Sequence, residues 1–397
     1  MENLKYWVWL TQVFGEGNKR IWDALEKFKS AEKAFYAVLD GEFEGLSHAE
    51  RENSKKISLS NAEDLIESCA KKGMKIIPFD SNAYPNRLKG IYNPPAILFC
   101  MGDLSFVDNE ICLTVVGTRH PSAYSVRLAQ KICGELAKVG VVLVSGFALG
   151  IDSMAHQAAL KNHTRTIAVL GCGLDVDYPK ENSAVKKIIA KRGAVISEFL
   201  PGTSPNGPNF PQRNRILSGL SLGTLVVEAG ERSGALITAD LALQQGRDVF
   251  CVPPADLFDP RYAGAVKLLR DGAIPVFSHL DIIYEYYENF AHKINPENNE
   301  ENYSFREDSA VFERESPNPK KQPGFSFKGE EEKIPEINFD TLDERQTRIV
   351  KLLQNGAMLA DEISALSGME ADEVLSVLTE LEIEGIVKSQ AGNRYSL

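Results

Sequence analysis

Four junctions of one kind carry the chemically suggestive residues of this 397-residue chain. They are Val115-Val116-Gly117-Thr118-Arg119, Val144-Ser145-Gly146-Phe147-Ala148-Leu149-Gly150-Ile151-Asp152, Val169-Leu170-Gly171-Cys172-Gly173 and Val226-Val227-Glu228-Ala229-Gly230-Glu231-Arg232-Ser233-Gly234. In each, an apolar run breaks into glycine and small polar residues before a helical pattern begins. Strands that end this way leave backbone N–H groups and helix N-termini at one edge of a sheet, a setting suited to phosphate. Arg213-Asn214-Arg215 adds two guanidinium groups at a helix start, where they can hold phosphate bidentately. The expected chemistry is therefore anion binding. The candidate contacts are Gly117, Thr118, Arg119, Ser145, Gly146, Phe147, Gly150, Gly171, Gly173, Arg213, Asn214, Arg215, Ser233 and Gly234.

Several of these residues admit a second reading. Arg119 either holds a phosphate or is a solvated surface arginine. Phe147, an aromatic inside a glycine turn, either stacks on a base or packs against a neighbouring helix. Arg213 and Arg215 clamp phosphates or pair internally with Glu198 or Glu228, and such pairing need not exclude phosphate binding. His156 follows Asp152 by one helical turn, but no serine or cysteine nucleophile motif accompanies it, so it reads as a hydrogen-bonded structural histidine. The chain has no GxGxxG fingerprint after a strand and no GxxxxGK[ST] loop. Its six histidines and six cysteines show no metal-ligand spacing. No catalytic residue, metal or cofactor is expected.

The elements that must position these residues follow from periodicity. Buried-strand patterns at Ile111 to Val116, Val141 to Ser145, Ile167 to Leu170, Ala194 to Ile196, Leu225 to Val227 and Val249 to Val252 alternate with helical ones. This alternation predicts an α/β fold with a Rossmann-like, doubly wound, mostly parallel sheet, whose ligands sit at the carboxyl ends of the strands. Residues 71–287 are assigned to it. Residues 1–70 read as a small helical module, with apolar residues at helical spacing on either side of Gly15-Glu16-Gly17. The module either simply joins the larger domain or forms a hairpin that grips nucleic-acid backbone. Residues 288–340 read as an acidic flexible linker, poor in aliphatic residues. Residues 341–397 fit three helices and a β-wing, a winged-helix domain.

The net charge of −11 disfavours an indiscriminate nucleic-acid binder, but its distribution matters. Lys+Arg minus Asp+Glu is 14 − 15 = −1 for residues 1–104 and 18 − 17 = +1 for 105–285. It is 7 − 13 = −6 for 286–340 and 5 − 10 = −5 for 341–397. The central domain is near neutral, which leaves room for a local basic groove. The third helix of the winged-helix domain carries Glu370, Asp372, Glu373, Glu380, Glu382 and Glu384 without a Lys or Arg. A phosphate-lined groove would repel it, so this domain reads as a protein-contact or regulatory unit rather than a duplex reader. Scattered cysteines without a CxxC pair suit free thiols in a reducing cytoplasm. No apolar run is long enough for a membrane span, and the N-terminus does not read as a signal peptide.

Taken together, Val116-Gly117-Thr118-Arg119, Ser145-Gly146-Phe147-Ala148-Leu149-Gly150-Ile151-Asp152, Ala155-His156, Tyr178-Pro179, Phe210-Pro211-Gln212-Arg213-Asn214-Arg215-Ile216 and Ser233-Gly234-Ala235-Leu236-Ile237-Thr238-Ala239 carry a specific pattern. The region of about residues 75–280 resembles the DprA/Smf family, the DNA-processing protein A of bacterial transformation. The sequence departs from the family pattern at Val252-Pro253-Pro254, where Val-Pro-Gly is usual, and at Ser125, where glycine is common. The resemblance implies a non-enzymatic, cytoplasmic, single-stranded-DNA-binding protein. Such a protein protects incoming DNA, displaces or coexists with single-strand-binding protein, loads the RecA recombinase and forms a homodimer. Carried onto this chain, the phosphate contacts are Gly117, Thr118, Arg119, Gly146, Phe147, Arg213 and Arg215. Lys180, shortly after the third glycine turn, is a further candidate.

Two other readings use the same scaffold. Ser218-Gly219-Leu220-Ser221-Leu222-Gly223-Thr224-Leu225-Val226-Val227-Glu228 bears a partial likeness to the PGGxGTxxE phosphate loop of phosphoribohydrolases, although the proline and paired glycines are missing. A nucleotide-sensing regulator, with the winged helix relaying occupancy to a partner, is the other.

Overall fold

The computed structural model describes residues 3–290, 339, 342–354, 356–390 and 394–397. Its contacts divide the chain into two compact units, residues 1–294 and 295–397. Helix α13 of the first unit reaches Phe290, three residues into the expected linker. The rest of that linker, apart from residue 339, lies outside the described residues.

The first unit opens with α1 (Leu4–Phe14), α2 (Arg20–Phe28), α3 (Ala31–Leu39), α4 (His48–Lys56) and α5 (Leu59–Lys71). Serine caps set three of these starts. Ser30, Ser47 and Ser58 each accept a hydrogen bond from an N–H of the helix that follows. Indole N–H groups tie the helices to the rest of the unit. Trp7 donates to Asp80 at 3.0 Å and Trp22 to the Pro94 carbonyl at 3.1 Å.

A nine-stranded sheet follows. Its strands are β1 (Lys75–Pro78), β2 (Ile97–Gly102), β3 (Cys112–Val116), β4 (Val142–Ser145), β5 (Thr166–Val169), β6 (Ala194–Ser197), β7 (Gly223–Val226), β8 (Asp248–Cys251) and β9 (Ile274–Pro275). Their order is β1-β2-β6-β5-β4-β3-β7-β8-β9, with β1 and β2 antiparallel and every pair from β6 to β9 parallel. Strands β3 to β7 are buried on both faces, which is why they read as continuous apolar runs rather than alternating ones.

The helices of the sheet region are α6 (Asn86–Lys89), α7 (Ala123–Lys138), α8 (Ile151–Lys161), α9 (Ser183–Arg192), α10 (Asn209–Leu220), α11 (Gly234–Gln244), α12 (Ala263–Arg270) and α13 (His279–Phe290). Two cores result. Ile132, Leu136, Ala155, Ile282 and Ile283 pack on one face of the sheet, and Ile216, Leu217, Leu220, Ala239 and Leu268 on the other. From β3 the chain winds outward through β4 and β5 with α7 and α8 on the first face, and from β7 through β8 with α11 on the second. The strand order reverses between β3 and β7, where a doubly wound sheet opens a crevice for ligand.

The second unit comprises α14 (Glu344–Leu353), β10 (Met358–Leu359), α15 (Ala360–Ser367), α16 (Ala371–Ile383), β11 (Lys388–Gln390) and β12 (Arg394–Ser396). The strands pair as β10-β12-β11, completing a winged-helix arrangement over a core of Ile349, Leu353, Ile363, Leu378 and Leu381. The acidic side chains of α16 all lie outside that core, half-buried or exposed. Among the described residues no helix is long and apolar enough to cross a membrane.

Candidate nucleic-acid interface

The glycine junctions do converge on the carboxyl edge of the sheet, but much of their backbone is already occupied. Thr118 donates its N–H to the Glu228 carbonyl at 2.9 Å, and its own carbonyl accepts from Ile151 at 3.3 Å. Gly146 and Ala148 both donate to Asp152 Oδ2, at 3.1 and 3.3 Å, so an internal carboxylate fills the nest of this turn. Gly173 donates to the Thr203 carbonyl at 2.9 Å. These N–H groups, expected to face phosphates, serve the protein itself.

The glycines are needed for close approach. A side chain at Gly150, which has φ of 78° at the start of α8, would meet the carbonyl oxygens of Thr118 and Arg119 at 2.5 and 2.7 Å. At Gly171 it would meet the Phe210 ring at 2.8 Å. Gly117 packs against Ile151 in the same manner. Ser145 donates its hydroxyl to the Val115 carbonyl at 2.7 Å, inside the sheet.

Beneath this edge lies a buried polar floor. Arg213, 4% exposed, donates Nη1 to the Gly146 carbonyl at 2.8 Å and also to the Val169 carbonyl. It thereby joins the ends of β4 and β5. Burial lowers its pKa to about 10, an effect that nearby Asp152 partly offsets. Burial raises Asp152 to about 6, opposed chiefly by Arg213 and the Ala148 N–H. Asn214 accepts from Arg213 Nε at 3.2 Å and donates to the Gly234 carbonyl at 3.4 Å. Arg215 makes two bonds of 2.6 Å to the Glu198 carboxylate, itself 2% exposed, and donates Nε to the Asn93 carbonyl at 2.9 Å. Arg215 is thus paired internally with Glu198, while Arg213 is held by backbone carbonyls and Asn214 and pairs with neither Glu198 nor Glu228.

Phe147 is also committed inside the protein. It is 2% exposed at φ of 62° and packs against His156 with ring centroids 5.8 Å apart, so packing rather than an open stacking face is what its ring shows. His156 Nδ1 lies 2.7 Å from Thr166 Oγ1, which itself donates to the Leu143 carbonyl at 2.6 Å. The histidine must then donate through Nδ1, and its buried Nε2 has no partner. Burial holds it neutral, with a pKa lowered to about 3.

Above the floor a cleft of about 420 Å³ opens at the ends of β3, β4 and β5. Arg119 is exposed on its wall, with its guanidinium 5.7 Å from the centre of the Phe210 ring. Tyr178, 37% exposed, lies with its ring 5.8 Å from that of Phe210 at an interplanar angle of 42°. Leu149 and Gly171 are also part of the lining, as are Gly146 and Phe147 from the floor. Lys180 is exposed next to Pro179 at the rim. Asn182 ties this rim to the second glycine turn by donating to the Phe147 carbonyl at 3.1 Å and to Ser153 Oγ at 3.0 Å.

Ser233 and Gly234 are not brought into the cleft. Ser233 caps α11 by accepting from Ala235 at 3.3 Å, on the other side of the β3–β7 crevice. That crevice is closed by Glu228, which accepts from the Ser122 N–H at 3.0 Å and its hydroxyl at 2.7 Å. Nor is the first hairpin turn free. Gly17 accepts from Asn93 Nδ2 at 2.6 Å, the Glu16 carboxylate from the Leu200 N–H at 2.9 Å and the Glu16 carbonyl from Gln212 at 3.0 Å. The turn is docked on the sheet unit. In the segment likened to a phosphoribohydrolase loop, Gly219 lies within α10 against Leu88 and Ile91, and Gly223 opens β7 at the amino edge. It forms no phosphate loop.

Tyr178 and Phe210 were absent from the sequence-based site, although they supply the aromatic surface that Phe147 does not. A signal existed. Each is an aromatic next to proline just beyond a strand end or at a helix start, where the chain faces the ligand edge rather than the core.

Residues 75–287 match the family described as DNA recombination-mediator protein A, and residues 338–393 match the DprA winged-helix domain. The chain is 33% identical to protein Smf of Synechocystis over 398 residues, 98% of each chain. It is 45% identical to the DNA processing protein DprA of Bacillus subtilis over 214 residues, 54% of this chain and 72% of that one. The X-ray structure of DNA processing protein A from Streptococcus pneumoniae superposes with a TM-score of 0.62 at 32% identity, covering 70% of this chain and 95% of that one. On matches that span both of its units, the chain belongs to the DNA recombination-mediator protein A family, the DprA/Smf family of DNA-processing proteins.

Proposed function

We propose that the cleft over β3, β4 and β5 binds single-stranded DNA, with Arg119 and Lys180 on phosphates and Tyr178 and Phe210 stacking on bases. The observation that carries this reading is the group of exposed Arg119 and Tyr178 with half-buried Phe210 between them at the carboxyl edge. Single strands need cations that track the backbone and aromatic faces that accept any base, without base-edge readout. A duplex, whose bases are stacked inside, offers no free base face to these rings. In this reading the chain binds rather than transforms DNA. The family's description as a recombination mediator supports protection of incoming strands and loading of RecA, with single-strand-binding protein as a further partner. Apolar surface on the sheet unit supports a homodimer, since Leu243, Leu257 and Phe258 are 57%, 65% and 93% exposed. Six buried free thiols fit a cytoplasmic setting, and the acidic face of α16 suits a protein partner.

Fluorescence anisotropy with labelled oligo-dT and a matched duplex, titrated at several salt concentrations, tests the core of this. The single strand should bind more tightly, and neutralising two phosphates, at Arg119 and Lys180, should give a slope of log affinity against log salt of about −1.4. Arg119→Glu should remove most of the binding while leaving the unfolding midpoint unchanged, because its side chain is exposed. Equal binding of strand and duplex, or wild-type affinity in Arg119→Glu, refutes the assignment.

A further inference from the structure

A second cation–aromatic group lies beyond the cleft, where the N-terminal helices meet the sheet unit. Tyr92 is 71% exposed, and Lys19 at the start of α2 holds its ammonium 4.3 Å from the centre of the Tyr92 ring. The next residue, Asn93, is held in a left-handed conformation with φ of 51°. Such backbone strain persists only where surroundings enforce it. Here Asn93 Nδ2 donates to Gly17 at 2.6 Å, and its carbonyl accepts from Arg215 Nε at 2.9 Å. The exposed Tyr92 ring is therefore carried on a turn fixed from two sides, so little rotational freedom remains to be lost on contact with a ligand.

This turn is continuous with the cleft. Phe210, on the cleft wall, and Arg215, bonded to Asn93, lie on the same helix, about 7.5 Å apart at 1.5 Å per residue. Between them Gln212 bonds to Glu16 at 3.0 Å, next to Gly17. Of the intervening carboxylates, Glu198 is buried and paired with Arg215, and Glu16 accepts from the Leu200 N–H. A strand leaving the cleft along the first turns of α10 thus passes Glu198 already paired on its way to Lys19.

We propose that Lys19 and Tyr92 form a second station for the same single strand, taking a phosphate and a base a few nucleotides beyond those held at Arg119 and Phe210. This rests on the strand-binding assignment of the cleft. It gives the docked hairpin a part in DNA binding through the residue that follows its turn rather than through the turn itself.

The test is anisotropy on the full chain with labelled oligo-dT of two lengths, about 5 and about 20 nucleotides, within and beyond the range one such groove covers. Tyr92→Ala should weaken the long strand about 5-fold or more, the effect of one lost stacked base, and leave the short strand unchanged. Tyr92→Phe should restore the long-strand affinity, and Lys19→Ala should lower it with a shallower salt dependence. Wild-type affinity of Tyr92→Ala for the long strand overturns the proposal, as does equal weakening of both lengths. Absence of binding by the wild-type chain would instead overturn the assignment of the cleft beneath it.

Discussion

The floor and the rim of the cleft are built from the same residue types and do opposite work. The floor holds Arg213, Arg215 and Phe147, each under 10% exposed, and each has its polar atoms or ring face committed to the protein. The rim holds Arg119, Tyr178 and Phe210, whose cation–aromatic and ring contacts among the described residues are with one another. A buried charge must find its partners inside, because leaving it unpaired costs several kcal/mol. An exposed one keeps its hydration until a ligand replaces it. Arginines two residues apart on one helix can thus be structural while an arginine far away in sequence carries the binding.

The largest effect expected from this contrast is on the floor. Arg215→Ala leaves the Glu198 carboxylate buried and without its two 2.6 Å bonds, and should cost about 3–5 kcal/mol of stability. Urea denaturation reads this directly. Replacing both members, as Arg215→Met with Glu198→Leu, should recover most of the loss, since a buried pair exchanged for apolar side chains of similar volume is often neutral. An unchanged midpoint for Arg215→Ala would place Arg215 with the rim. By the same logic Arg215→Glu reports on folding, because it sets a second carboxylate against Glu198.

Two floor groups also oppose each other in their response to pH. Asp152, raised from 3.8 to about 6, binds its proton more tightly when folded, so its contribution to stability is full at low pH and falls by about 3 kcal/mol as pH rises through that window. His156, lowered from 6.5 to about 3, is neutral when folded. Its contribution is full above pH 6.5 and falls by about 5 kcal/mol as pH drops toward 3. Between pH 4 and 6 the two slopes cancel in the wild type. Asp152→Asn keeps an acceptor for Gly146 and Ala148, so relative to wild type its stability should climb with pH across that window. His156→Gln should show the reverse. Parallel pH profiles for all three proteins would mean that neither group titrates between those limits.

The alternating apolar runs announced the parallel sheet and its ligand edge, because strands buried on both faces have few other ways to be written. The strands Cys112–Val116, Val142–Ser145, Thr166–Val169, Ala194–Ser197, Gly223–Val226 and Asp248–Cys251 begin and end within two residues of the apolar runs that predict them. Burial of individual side chains was less legible. Arg213 and Arg215 are separated from Asp152, Gly146 and Glu198 by 15 to 69 residues, and no local pattern says which arginine will meet a carboxylate. Asp152 stood in the second junction, yet as sequence it did not reveal that it would take the N–H groups of its own turn. The rim was half visible, with Arg119 and Lys180 identified from their places after glycine turns. Tyr178 and Phe210 were passed over because an aromatic beside proline looks like loop structure until its neighbours are known.

The smallest and most specific test separates charge from shape at the rim. Lys180 is exposed, and no ion pair involving it occurs among the described residues, so Lys180→Ala should leave unfolding unchanged within about 0.5 kcal/mol. If it takes one phosphate, the slope of log affinity against log salt should become shallower by about 0.7, the share of one neutralised phosphate on a single strand. Phe210→Ala should behave differently, losing about 1–3 kcal/mol of binding with the slope intact, because stacking releases no counterions. Measuring both slopes assigns each rim residue a role that affinity alone would not distinguish. An unchanged slope in Lys180→Ala would take Lys180 out of the phosphate contacts and leave Arg119 as the rim cation assigned to one.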